Sequence, residues 1–583
     1  MASYYLGFPN SGGVDWFYSL AEGYPVYAMY VQDNWRVNHR LTLNLGIRYD
    51  IQRGLRERHD HLNRGLCLTC VNPLTSDSTY QTNVGNSANS AAWTAAGISA
   101  GSLSTVLGGL EFAGSNGQSR DAYNTDYSDV GPRIGFAFAA NPKTVFRGGY
   151  GVMYSYGLEG GSSIGEAQST NYTGSLDGGN TPTNYFQSGS PFASGLLKPT
   201  GDTLGLLTDV GNGTIQADFP DRKIPMEQIV SLGFQRELPG GMVLDARYAA
   251  NFSSRLRVSL WLNGVATLAE EQAAQANPQI WDQQVPNPYY GVAAMSGPGQ
   301  CGTSTTIKAI ALLEPGSQYC SPGGNGLVGE YNAGLGRNWY DGLEVKLNRR
   351  VTTGAARGLS YQVSYTYSKT MNGDGYENGW PHQDQYQVHW IAGSDRTHIL
   401  SATSVWDLPI GKGGLLLSHP STPLGLFIDN WTASGVFNVQ SGTPVGLNTG
   451  YWYNCPSQSF RPAGGTSVGQ GRWLNTTAGC WQGIPEYGLM NLTGNTSKLR
   501  DPTMPSLDLS VQKAIPIWEN LNFQFRLDAF NALNSVLFGG PNNNPGAGPA
   551  SFSQQSGWSG FGTIGPTQQN FPRVLQVSGR IVF

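Results

Sequence analysis

The sequence predicts an all-β protein, a transmembrane antiparallel β-barrel of about fourteen strands with long loops at one end and short turns at the other. Three observations predict it. Segments of about ten residues alternate apolar and polar side chains, as a strand with two different faces must. These segments come in pairs joined by short turns, and most of the chain lies in the long links between pairs. Charged residues make up 13% of the 583, against roughly 25% in an ordinary soluble protein, while glycine (79 residues) and aromatics (11%) are abundant.

Composition also excludes alternatives. A mean hydropathy of -0.29 argues against a helical membrane protein, and there is no apolar run of the roughly 18 residues that a spanning helix needs. The stretch Ala91 to Gly114 comes nearest, but Gly, Ser and Thr interrupt it throughout, so it is expected to be loop. A net charge of -4 without basic blocks gives no support to nucleic-acid binding. Met1 to Phe17 has neither the basic start nor the apolar core of a secretory signal.

In chain order, Ala2 to Phe8 is expected to be the end of a strand, and Val26 to Arg36 a full-length one. Val37 to Arg40 turns into the cleanest strand, where Leu41, Leu43, Leu45, Ile47 and Tyr49 alternate with Thr42, Asn44, Gly46, Arg48 and Asp50. Turning the second set outward would place Arg48 and Asp50 in hydrocarbon, where an arginine costs about 2–4 kcal/mol near the midplane. The leucines therefore face lipid and the polar set faces a lumen.

The same unit recurs. Ile134, Phe136 and Phe138 turn at Asn141-Pro142-Lys143 into Phe146, Tyr150, Val152 and Tyr154. Val230, Leu232 and Phe234 turn at Leu238 to Gly241 into Met242, Leu244, Ala246 and Tyr248. Leu343, Val345 and Leu347 precede a hairpin partner carrying Leu359, Tyr361, Val363, Tyr365 and Tyr367. Leu400, Ala402, Trp406 and Leu408 lead through a Gly-rich turn at Pro409 to Gly414 toward Trp431, Ala433, Phe437 and Val439. Leu507, Leu509 and Val511 turn at Pro516 to Asn520 into Leu521, Phe523, Phe525 and Leu527, and Arg573 to Phe583 is the last strand.

The links between pairs, such as Arg53 to Asp129, Gly157 to Ile224 and Arg255 to Arg337, are far longer than the ~12–15 residues that soluble domains tolerate as structureless loop. A barrel in an outer membrane carries such loops on its outer side. The spacing is too irregular for a propeller.

Several stretches resemble one family. They are Tyr30-Val31-Gln32-Asp33-Asn34-Trp35 with Arg40 to Tyr49, Gly131-Pro132-Arg133-Ile134-Gly135-Phe136, Phe146-Arg147-Gly148-Gly149-Tyr150-Gly151, Ser364 to Lys369, Gln440-Ser441-Gly442-Thr443-Pro444 and Phe525 to Asn534. In order and spacing they are similar to the barrel of TonB-dependent outer-membrane receptors, specifically the Oar-like group. The resemblance implies a barrel of about 22 strands around an N-terminal plug, energised by a TonB complex. Ala2 to Gly7 resembles a stretch well inside that barrel, so the chain is expected to be its C-terminal portion, without the plug and first strands. The implied partners are outer-membrane lipid, the barrel-assembly machinery, the plug, the TonB complex and a transported ligand of unknown identity. No cofactor is implied.

Candidate sites follow. The final strand carries Leu575, Val577, Gly579, Ile581 and a terminal Phe583 on one parity, which resembles the signal read by the barrel-assembly machinery. The six cysteines form pairs within single links, Cys67 with Cys70, Cys301 with Cys320 and Cys455 with Cys480, none on a predicted strand. Even numbers confined to loops suit disulfides in an oxidising compartment. The competing reading is a zinc site joining Cys67 and Cys70 to His59 and His61, but the spacing matches no common zinc module. Arg48, Asp50, Arg147, Asp245, Arg247, Glu344 and Lys346 are expected to face the lumen, either to contact cargo or the plug or, more simply, as an ion-pair ladder. Trp35, Tyr49, Tyr154, Tyr365, Tyr367, Trp406 and Trp431 are expected at the membrane interfaces, and Tyr451-Trp452-Tyr453 is a candidate stacking surface in a loop.

Catalysis finds little support: His382, His389 and His398 are scattered, Asp395-Arg396-Thr397-His398 resembles a structural stretch of the family, and no HExxH or P-loop occurs. The expected function is nutrient uptake across the outer membrane. A surface adhesion module and a passive pore are the alternatives.

Overall fold

The alternating segments form one wall. The computed structural model describes residues 12–156, 161–172, 174–175, 192, 195–261, 276–297, 299–314, 316–321, 326, 328–354, 356–373, 389–455, 459–484, 491–518, 521–554 and 557–583. The expected partial strand Ala2 to Phe8 lies outside them. Thirteen strands follow one another as an antiparallel meander. They are β1 (Val26–Arg36), β2 (Leu41–Gln52), β3 (Asp126–Asn141), β4 (Thr144–Tyr154), β5 (Met226–Leu238), β6 (Met242–Trp261), β7 (Val328–Arg350), β8 (Leu359–Asn372), β9 (His398–Asp407), β10 (Trp431–Gln440), β11 (Met504–Trp518), β12 (Leu521–Phe530) and β13 (Val574–Val582). Two short strands join the same sheet, Ile215–Asp218 parallel to β7 and Trp390–Ile391 on β8.

Register carries the two-solvent argument. One cross-strand row reads Leu41, Phe138, Phe146, Phe234, Ala246, Val345, Tyr365, Leu400 and Val439 over nine consecutive strands. A neighbouring row of opposite parity reads Gln235, Asp245, Lys346, Ser364, Ser401, Asn438 and Ser506. The apolar row starts at the turn end of β2 and finishes at the loop end of β10, the stagger that tilted barrel strands produce. Its neighbours on the same face are bare: Ile134 is 55% exposed, Leu232 56% and Leu343 47%. Continuous bare apolar surface of this extent is unfavourable in water and costs nothing against acyl chains. On β7 the apolar stretch is bounded on its own parity by Arg349, opposite Tyr361, and by Asp341, which the Tyr248 hydroxyl contacts. Charge and tyrosine thus mark its two edges, as at a membrane interface.

β6 and β7 are 20 and 23 residues long, well beyond the ~9–11 that cross a bilayer. Their outer halves therefore stand clear of the membrane and carry the loops. No helix among the described residues is long and apolar enough to cross a membrane, which is silent about strands.

The long links depart from expectation. Instead of structureless excursions, they fold into packed lobes. The first lobe buries Leu66, Tyr80, Trp93, Leu110, Ile215, Tyr289, Met295 and Tyr319 around one core drawn from three separate links. The second buries Val445, Tyr453, Phe460, Leu474, Leu499 and Phe561. Ala91 to Gly114 is part of this: α2 (Ser87–Ala95) follows α1 (Ser78–Gly85), and Leu107–Phe112 is a strand. Asp77 accepts the backbone N–H groups of Thr79 and Tyr80, and Asn86 those of Ala88 and Asn89, so each short helix has an N-cap. Trp93 is fully buried, and its indole N–H donates to the Pro286 carbonyl at 2.8 Å, tying the first link to the third.

A second correction concerns the turn expected at Pro516 to Asn520. β11 runs through to Trp518, with Pro516 opposite Asn522 beside an irregularity in the ladder, where a residue without an N–H is tolerated. At the β5–β6 turn, Gly240 and Gly241 both have positive φ (78° and 71°), the conformation that glycine adopts without strain.

Candidate functional site

The loop end of the barrel holds the features with chemical content. In the first lobe Leu66, Tyr80, Leu103, Val106, Leu312 and Tyr319 surround a cavity of about 510 Å³. Its polar groups are few. The Gln318 amide donates to the carbonyls of Leu107 and Gly108 at 3.0 and 3.1 Å, and Ser317 and Glu314 lie on the rim. An apolar pocket with a few convergent polar groups is the usual form of a small-molecule site.

Below it, at the loop ends of β2 and β3, is a charge cluster. The Arg48 guanidinium donates to Asp50 at 2.9 Å, and Asp50 is buried. Asp129 is fully buried, 3.6 Å from Arg255, whose Nη1 is also 3.9 Å from Asp126. Lys223 donates to Asp126 at 3.1 Å. Arg255 reaches these carboxylates from an irregularity in β6 between Ser253 and Leu256, with φ at 56°. Such a bulge re-aims one side chain out of the regular alternation.

Of the residues predicted to face the lumen, the structure joins Arg247 to Glu344 at 2.6 Å and sets Asp245 directly opposite Lys346. Arg147 is exposed, opposite Ala137 and Gly233. These are neighbours along the polar rows, apart from the Arg48–Asp50 pair. Asp126, Asp129 and Arg255 escape the sequence reading because bulges break the alternation that guides it, at Asp50/Gln52 as well as in β6, and Lys223 because it lies in a link.

Three disulfides join Cys67 to Cys70, Cys301 to Cys320 and Cys455 to Cys480. Contrary to expectation, the first pair lies on a strand, Asn63–Val71, although one within a lobe and not in the wall. Cys301 and Cys320 sit in the first core, and Cys480 in the second. With the Cys67 and Cys70 sulfurs bonded to each other, the four-ligand zinc set with His59 and His61 is not assembled. His61 instead stacks on Tyr18, with Glu166 at 4.0 Å.

Burial lifts the Glu166 carboxyl above its ordinary range, opposed by the nearby His61 ring. The neighbouring Glu57 goes the other way. Burial pushes it up, but the backbone N–H groups of Ala21, His59 and His61 together hold it below. A carboxyl raised in the fold is destabilising above its folded pKa and neutral below its unfolded one. Glu166→Gln is therefore expected to protect this corner of the cap from proteolysis at neutral pH, with the advantage fading in acid, where wild-type Glu166 is protonated folded or unfolded.

The tempting stretch Asp395 to His398 is structural. Arg500 donates to the buried Asp395 at 2.6 Å and to the Gly442 carbonyl, while Asp395 accepts the Thr370 N–H. Tyr453 packs into the second core, while Tyr451 and Trp452 stay partly exposed. Trp406 and Trp431 lie at the turn end, donating to the carbonyls of Arg357 and Phe427. Leu575, Val577, Ile581 and Phe583 are all exposed, Phe583 at 96%. His382 lies outside the described residues.

A wall with lipid on one face and water on the other, capped by folded outer lobes, defines an outer-membrane β-barrel. Residues 1–576 match the outer membrane beta barrel domain model, and the chain belongs to that family. Similar solved structures include the outer membrane transporter YddB from Escherichia coli (TM-score 0.40, 8% identity, 96% of this chain and 45% of that one). The ferric citrate transporter FecA in its unliganded form gives a TM-score of 0.37 at 10% identity, over 96% and 45%. The ferripyoverdine receptor of Pseudomonas aeruginosa bound to ferripyoverdine gives 0.36 at 10%, over 96% and 39%. The chain spans less than half the length of these structures. No curated protein matches it in sequence.

Proposed function

We propose that the chain is the barrel of a TonB-dependent receptor of the Oar-like kind, taking a nutrient at the extracellular lobes and passing it through the lumen. The observation that carries this is the open apolar pocket in the first lobe, lined by segments from two separate links and set on the loop side of the charge cluster. An adhesion module has no need of an apolar pocket of this size. The reading takes residues 1–583 as one barrel domain whose edges are completed by further strands and whose lumen holds a plug. In its support, β1 pairs only β2 and β13 only β12 among the described residues, and every residue of β1 is exposed. An edge left unpaired in lipid is untenable. Leu575 to Phe583 would then be the stretch read during barrel assembly.

The test uses cells carrying the full-length gene and a panel of labelled nutrients, with and without a protonophore. The expected result is uptake of at least one nutrient that collapses when the proton gradient is dissipated. Uptake indifferent to the protonophore, with steady conductance steps in planar bilayers, would establish a passive pore. Cell adhesion without uptake would establish the surface module.

A further inference from the structure

The link between β9 and β10 breaks the rule of the turn end. Its counterparts there are tight, for example Pro142-Lys143 between β3 and β4, but this one runs from Leu408 to Asn430 and contains α3 (Thr422–Ile428). It is folded. The N–H groups of Leu415 and Leu416 donate to the Pro409 carbonyl at 2.8 and 3.2 Å, and that of Gly411 to the Leu416 carbonyl at 3.0 Å.

What it presents is unexpected for a segment bathed in water. Leu415, Leu416 and Leu417 are 57%, 63% and 61% exposed, and Leu424, Leu426 and Phe427 on α3 are 43%, 51% and 72% exposed. Leu417 sits at φ 54°, a left-handed conformation costly for a branched side chain. The backbone holds three consecutive leucines outward in spite of that cost.

Its attachment shows which side of the wall it occupies. Lys513, on the outward parity of β11 with Leu509 and Val511, donates to the Asp429 carbonyl at 2.7 Å and lies over the Trp431 ring at 5.3 Å. The Trp431 indole donates to the Phe427 carbonyl at 2.8 Å. Both anchors belong to the lipid-facing surface, so the segment is fastened outside the barrel, at its periplasmic rim, continuous with the apolar belt. Between it and β11 is a cavity of about 420 Å³ lined by Lys412, Ser418, His419, Leu426, Lys513 and Pro516.

We propose that residues 409–430 form an interfacial foot, immersed in the periplasmic leaflet of the outer membrane, whose occupant is phospholipid. Acyl chains cover Leu415 to Leu417, Leu424, Leu426 and Phe427. The headgroup phosphate meets Lys412 and His419 at the mouth of the cavity. Apolar side chains beside cationic ones on a membrane-flanking segment are the pattern of an interfacial element, and here the pattern continues an interface that the wall already has.

The test is spin labelling of the full-length gene product in phosphatidylethanolamine and phosphatidylglycerol vesicles, at Leu416→Cys and Phe427→Cys, with Leu232→Cys as the reference in the belt. All three positions are exposed on the protein, so folding should survive, as heat-modifiable gel migration checks. The proposal expects labels at 416 and 427 to collide with dissolved oxygen and to lose broadening by a water-soluble nickel chelate, as at 232. Lys412→Glu should reverse part of that loss, shifting the 416 label toward the chelate. Full chelate broadening at 416 and 427 while 232 remains protected would overturn the proposal. Dipolar broadening between labels of two molecules would also overturn it, showing a second copy of the chain as the occupant.

Discussion

Leu232→Arg is expected to cost the barrel about 2–4 kcal/mol, the penalty of an arginine near the middle of the hydrocarbon. Leu232 lies midway along the bilayer-crossing part of β5, between Val230 and Phe234 on the apolar parity, and is 56% exposed. The control is Thr366→Arg, on the opposite parity beside Glu344. There a new guanidinium meets water and a carboxylate, and the change should stay within about 0.5 kcal/mol. Urea titration of protein folded into vesicles gives the difference. Equal losses at 232 and 366 would mean that the two faces meet the same medium.

Trp93→Ala is expected to be as damaging, but in another place. Removing a fully buried indole costs about 3–5 kcal/mol, and this one also gives up the bond to Pro286 that ties two links together. The loss should fall mainly on the first lobe, since its core belongs to the links and meets the wall only at the outer tip of β7, at Val328. Limited proteolysis should then cut between residues 53 and 125 and near 285, while heat-modifiable gel migration of the barrel is unchanged. Collapse of barrel and lobe together would show that they fold as one unit.

These two sites also mark what was legible in the sequence. Leu41 to Asp50 could be assigned strand, register and facing because each face of a wall strand meets one solvent along its whole length, and a period of two is then obligatory. The cysteine pairs were legible because each lies within a single link. The lobes were not. Their core is gathered from segments as distant as Trp93 and Pro286, and no short window carries that pairing. Two signals did stand in the chain, Asp77 and Asn86, each capping the start of a short helix, the second of which runs into the Gly- and Ser-broken stretch Ala91 to Gly114. The charge cluster was hidden for a different reason, because Arg255 and Asp126 sit where bulges shift the ladder by a residue and parity stops predicting direction. At the turn end, Pro409 to Asn430 is legible as the one extended connection, but only the backbone shows that it holds Leu415 to Phe427 outward.

Alkylation of single cysteines placed one at a time at positions 343 to 348 tests most directly whether the wall separates two solvents. The native cysteines are all in disulfides, so no other thiol competes. In sealed vesicles, a charged, membrane-impermeant maleimide should modify positions 344, 346 and 348 and spare 343, 345 and 347. Uniform modification along the strand, or an alternation of the opposite sense, would contradict a wall with lipid outside and water within.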